Sequence, residues 1–267
     1  MKRLAALFAL LAIVLVAQVA GAKPYAYANW SDSPAAGTYA KASRGRGWSP
    51  TWIVNVKGWY DPSVGVTLNG STVSGWADQS GLGNNLTGAA SHQPTFVSSD
   101  ASYGHAQSMT YSAASTTALV GPAVNLAQPM WYAIVGHATT TGVIGFLDST
   151  SSGSFQAMYA NATGKLNVYA GTILAGTASV ASPCVMIGVF NGASSAGYVS
   201  NYVTANPPTG NANTDLQQAW VLGGNSKATN PLTGTIAAFV AAAGTPDLWV
   251  RWHIMVYFGN RFGIAVQ

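Results

Sequence analysis

The chain has 267 residues, enough for one large domain, and only 7% of them are charged, against about a quarter in ordinary globular proteins. The formal charge of +4 rests on few groups, and the only basic grouping is Lys41, Arg44 and Arg46, so no nucleic-acid footprint is present. A single cysteine, Cys184, excludes an internal disulfide; it enters an apolar run and reads as a small buried hydrophobe.

Residues 1–22 begin with Lys2 and Arg3, continue through an apolar run from Leu4 to Ala17, and end in Ala20-Gly21-Ala22. This is the pattern of a secretory leader, and the apolar run is shorter than the roughly 20 residues a spanning helix needs. The expected mature protein is therefore secreted, with no stable membrane insertion after cleavage. Residues 23–52, rich in Ala, Ser, Gly and Tyr, keep no apolar period and read as an arm or linker. From Ile53 onward, short β-prone runs alternate with turn residues, the mark of an all-β domain over residues 53–267.

The first such run is Ile53 to Tyr60. Pro94 to Val97, Gln107 to Tyr111 and Ala118 to Val120 follow, then the strongly β-prone Met130 to His137 and Val143 to Leu147. Phe155 to Tyr159 and Lys165 to Tyr169 flank Asn161-Ala162-Thr163-Gly164, turn chemistry that predicts a hairpin. Val185 to Asn191, Ala196 to Val203, Ala219 to Gly224 and Leu232 to Ala242 complete the strands. Thr245-Pro246-Asp247 opens a helix that the apolar spacing carries from about Asp247 to Tyr257.

The chain is organised around Gly58 to Phe96. Trp59 and Trp76 each lead into an Asp-containing turn, at Asp61-Pro62 and at Asp78-Gln79-Ser80-Gly81. An Asp side chain there bonds backbone N–H groups two residues on, and Gly supplies positive φ. Trp76, Asp78, Ser80, Gly81, Gly83 and Asn84, followed by Gln93-Pro94-Thr95, resemble the opening of a concanavalin A-like lectin/glucanase domain of the laminin-G-like branch. The tail, with Tyr257, Gly263 and Ile264, is similar to that family's terminal helix and closing strand. The resemblance implies a two-sheet antiparallel β-sandwich of jelly-roll type with a short C-terminal helix. It also implies a calcium ion as the one candidate cofactor, held by Asp78 and Asn84. Read from the turn chemistry alone, Asp78 is a scaffold residue.

The enzymes of that family use two carboxylates on one strand. This chain has no Glu, and its seven acids, Asp32, Asp61, Asp78, Asp100, Asp148, Asp215 and Asp247, stand more than ten residues apart. The expectation is therefore no enzyme, but a non-catalytic, secreted, lectin-like module whose partner is a glycan or cell-surface polysaccharide. The alternative is a structural virion or surface component that assembles as a homo-oligomer. Sugar rings stack on aromatic faces. Tyr159, Tyr169 and Trp220, on strands with polar neighbours, are the candidate ligand-binding residues.

Overall fold

The computed structural model describes residues 48–150, 153–224 and 230–267. The expected leader and residues 23–47 of the expected arm lie outside the described residues. At the described end of that arm, Ser49 caps a short 3-10 turn, Pro50–Trp52, that leads into the first strand.

Sixteen strands follow among the described residues: β1 (Val56–Tyr60), β2 (Val66–Asn69), β3 (Thr72–Trp76), β4 (Leu86–Thr87), β5 (Thr95–Asp100), β6 (Ala106–Tyr111), β7 (Leu119–Leu126), β8 (Met130–Ala138), β9 (Ile144–Asp148), β10 (Ala157–Ala160), β11 (Lys165–Tyr169), β12 (Ile173–Ser179), β13 (Cys184–Phe190), β14 (Ala196–Val199), β15 (Gln217–Leu222) and β16 (Gly234–Ala243). One helix, α1 (Leu248–Phe262), closes the chain. No described helix is long and apolar enough to cross a membrane.

All sixteen strands belong to one hydrogen-bonded sheet, in the order β12-β11-β10-β9-β15-β7-β4-β3-β5-β6-β16-β8-β13-β14, with β1 on β16 and β2 on β3. This corrects the expected two-sheet jelly roll. Thr87 pairs with Val120 and Thr72 with Thr95, so hydrogen bonding passes from one half to the other through β4 and β3. The sheet also nearly closes on itself into a barrel-like form. Asn206, between β14 and β15, accepts at its Oδ1 from Thr177 N (2.6 Å) and Ala178 N (3.1 Å) of the end strand β12. Its own N–H donates to Gly197 O of the other end strand, β14, at 2.6 Å. One residue thus satisfies groups on both edges that would otherwise stay unpaired. Gly176 and Gly197 permit the approach: a Cβ at Gly197 would stand 2.4 Å from Pro207 Cδ, and one at Gly176 would stand 2.3 Å from Leu166 O. Alternating hydrophobicity reports which face of a strand is buried but not whether a sheet splits or curls, so the sequence pattern could not separate the two forms.

The continuous apolar runs have a direct cause. In β8, Met130, Tyr132 and Ile134 point into an inner core with Tyr60, Trp76, Trp220 and Phe239. Trp131, Ala133 and Val135, on the other face, meet Ile254, Met255, Phe258 and Phe262 of α1. A strand covered on both faces has no polar side to show. The helix begins later and runs further than expected: Asp247, not Thr245, is its cap, accepting from Val250 N at 2.8 Å, and it ends where Gly263 turns left-handed at φ 65°. Tyr257 therefore lies within the helix, not in a closing strand.

β2, β4 and β12 were not foreseen, whereas the apolar run ending at Trp76 does form a strand, β3. β2 carries mostly exposed residues and β12 an irregular alternation, so neither shows a clean period of two.

Candidate active site

The Asp78 carboxylate is saturated with donors. Asp78 Oδ1 accepts from Trp59 N (3.0 Å) and Ser80 N (2.8 Å), and Oδ2 accepts from Ser80 Oγ (2.7 Å) and Asn84 N (3.1 Å). Asn84 Nδ2 donates to Lys57 O at 2.7 Å, and its carbonyl accepts the Tyr60 hydroxyl. Trp76 is buried, with its indole N–H on Asp61 O at 3.1 Å. Asp78 and Asn84, the residues the resemblance offers for calcium, do share one loop. A cation there would have to displace four donors from the Asp78 carboxylate. Among the described residues, no group of three or more His, Cys, Asp or Glu gathers.

The sugar-face candidates divide. Trp220 is fully buried in the inner core, edge-on to Tyr60 and Phe239, where no ligand reaches it. Tyr159 and Tyr169 are half-exposed on adjacent strands, β10 and β11, on the face turned away from the inner core.

A polar cluster that sequence reasoning missed lies beside them. Asp148 ends β9, opposite Val221 of β15, and is only 7% exposed. Its carboxylate accepts from Ser149 N at 2.7 Å, but burial dominates and pushes its pKa up to about 7. Gln217, fully buried at the start of β15, donates from Nε2 to Asp148 O and Ala219 O, both at 2.8 Å. Gln217 Oε1 accepts from Gln156 N at 3.0 Å, and Gln156 Nε2 donates to Asp215 O at 2.8 Å. The Tyr132 hydroxyl donates to Gln156 Oε1 at 2.8 Å, and Asp215 Oδ2 accepts from Phe155 N at 3.4 Å.

The backbone carbonyls of two acids far apart in sequence thus accept from one Gln–Gln network. No single strand carries both residues; β9 pairing with β15 brings their two segments together. The signal available was Asp215-Leu216-Gln217-Gln218, a polar run leading directly into an apolar strand. A buried carboxyl titrating near neutrality can give up or take a proton at ordinary pH.

No family model matches the sequence, and no curated protein matches it. Solved structures share its fold. Trypanosoma rangeli sialidase in complex with sialic acid has a TM-score of 0.54 at 11% identity, covering 80% of this chain and 34% of the sialidase. An arabinofuranosidase complexed with arabinofuranosyl-α-1,2-xylobiose gives 0.51 at 14% identity, over 69% of this chain and 51% of that one. Domain 4 of the extracellular arabinanase AbnA from Geobacillus stearothermophilus, in complex with arabinotriose, gives 0.55 at 9% identity, over 76% of this chain and 98% of that domain. This chain spans about a third of the length of the sialidase.

These comparisons correct the remaining expectations. The chain shares its fold with parts of a sialidase and an arabinofuranosidase and with a domain of an arabinanase, and these replace the expected concanavalin A-like or laminin-G-like domain. A non-catalytic lectin-like module, and equally the virion-assembly alternative, loses its footing beside carbohydrate-active neighbours. The step from absent Glu to absent catalysis also fails, because an Asp can supply an acid: Asp148 is buried, with its pKa raised to about 7.

Proposed function

We propose that this protein is a carbohydrate-active enzyme that takes a glycan as substrate and works through the Asp148–Asp215 cluster. Asp148 carries the reading: burial raises its carboxyl to near neutrality, and the Gln156–Gln217 network bonds its backbone carbonyl and that of Asp215. The shared fold of glycan-acting proteins supports the substrate class.

Cleavage of a glycosidic bond needs one carboxyl that is protonated and one that bears charge. Asp148, held neutral by burial through much of the acid range, donates its proton to the leaving oxygen. Asp215, on the more open loop before β15, stabilises the positive charge that develops at the sugar carbon or directs a water onto it. Gln156 and Gln217 fix the distance between the two backbone segments, and the Tyr132 hydroxyl fixes Gln156 in turn.

The test is incubation of the purified chain with arabinan, arabino-oligosaccharides, xylan and sialyl-oligosaccharides, following reducing ends. Release from at least one, abolished in Asp148→Asn with the fold intact, supports the reading. No release from any of them, or release untouched by Asp148→Asn, refutes it.

A further inference from the structure

We propose that the outward face of β10 and β11 is a stacking subsite for a neutral glycan, an inference that rests on the reading of the Asp148–Asp215 cluster as the reacting end. Met158, Ala160, Leu166 and Val168 point into the inner core. Strand alternation then places Tyr159, Asn167 and Tyr169 on the opposite face. The register sets Tyr159 directly across from Asn167, and Ala157 across from Tyr169.

Each aromatic ring on this face is held in place. Asn167, 5% exposed, donates from Nδ2 to the Tyr159 hydroxyl at 3.2 Å, and its Oδ1 accepts from Gly176 N at 3.3 Å. The Tyr169 ring lies 4.8 Å from the Phe155 ring, tilted by 35°. Phe155 in turn donates its N–H to Asp215 Oδ2. The row Tyr159–Tyr169–Phe155 therefore runs from the middle of the hairpin to the acid cluster. Pre-set, half-exposed rings offer large contact area at little cost in side-chain freedom, which is what the C–H face of a sugar requires.

Charge selects the sugar class. The Phe155 end of the row meets an acid, Asp215, whose Oδ2 accepts from Phe155 N, and no described Arg stands on β9, β10, β11 or β15. Lys165 is the one cation on these strands, and it lies at the opposite end of β11 from Tyr169. An anionic sugar seated over Phe155 would face the Asp215 carboxylate with no guanidinium fork to offset it, whereas a neutral pyranose or furanose meets no such penalty.

Titration of the full chain with arabinotriose and with a sialyl-trisaccharide, by calorimetry, tests this. Arabinotriose binds, the sialyl-trisaccharide does not, Tyr169→Ala weakens arabinotriose about tenfold, and Tyr169→Phe retains it. Circular dichroism identical to wild type validates the Ala variant; should that variant fail to fold, Tyr159→Ala provides the same comparison. Arabinotriose bound equally by wild type and the Ala variants overturns the subsite and leaves the glycan reading standing. Tighter binding of the sialyl-trisaccharide overturns the neutral class alone. Binding of neither sugar overturns the subsite together with the reading beneath it.

Discussion

Arg261 Nη2 lies 2.5 Å from Asp61 Oδ1, so the last turn of α1 is tied to the turn after β1 across 200 residues of sequence. The same Asp61 oxygen accepts from Ser63 N at 2.9 Å and Ser63 Oγ at 2.7 Å, and Arg261 also donates to Ser63 Oγ. Asp61 is 6% exposed at its side chain and Arg261 31%, so this contact is only partly screened by solvent. Arg261→Ala leaves a buried carboxylate with fewer donors and should cost about 1–3 kcal/mol. Urea denaturation measures it; a midpoint equal to wild type would mean the pair contributes nothing to the docking of α1.

Closure of the sheet rests on Asn206. Asn206→Ala removes the acceptor for Thr177 N and Ala178 N and should lower stability by about 1–3 kcal/mol. Faster amide exchange confined to Thr177 and Ala178 is the specific readout. Exchange unchanged at both would show that the two sheet ends are held by other contacts.

The sequence made the all-β class, most strand positions and the C-terminal helix visible, because covered strands and capped helices leave local patterns. The run Met130 to His137 announces a strand by β-branched and aromatic content, and Thr245-Pro246-Asp247 announces a helix start, though the cap falls on Asp247. Closure was hidden because it depends on Asn206 meeting β12 and β14, segments that no periodicity connects. The acid cluster was hidden for the same reason: the segments of Asp148 and Asp215 come together only once β9 pairs with β15. Trp220 misled because its polar neighbours, Gln217 and Gln218, resemble a surface context, whereas Gln217 is itself buried and bonded.

The Asp78 turn should prove structural in weight. Asp78→Ala strands the N–H groups of Trp59, Ser80 and Asn84 and should lower stability by about 1–3 kcal/mol. Asp78→Asn, which keeps an acceptor, should recover part of that. A melting temperature unmoved by either substitution would contradict the role.

Burial raises the Asp148 pKa from 3.8 to about 7, so between those values the folded state holds a proton that the unfolded state has lost. Stability from this group is then full below pH 4, falls as pH rises from about 4 to 7, and is flat above that. The loss should be on the order of 1–4 kcal/mol, and Asp148→Asn should abolish that part of the pH dependence. Denaturant melts at pH 5 and pH 8 compare them; parallel pH dependence in wild type and variant would contradict the assignment.

The most direct test of the central claim is the pH dependence of kcat/KM on an arabino-oligosaccharide for wild type, Asp148→Asn and Asp215→Asn. The account predicts a basic limb in wild type that falls with an apparent pKa near 7, the titration of the Asp148 acid. It also predicts a loss of at least about 100-fold in Asp148→Asn. Turnover in Asp148→Asn equal to wild type, with the same basic limb, would contradict it.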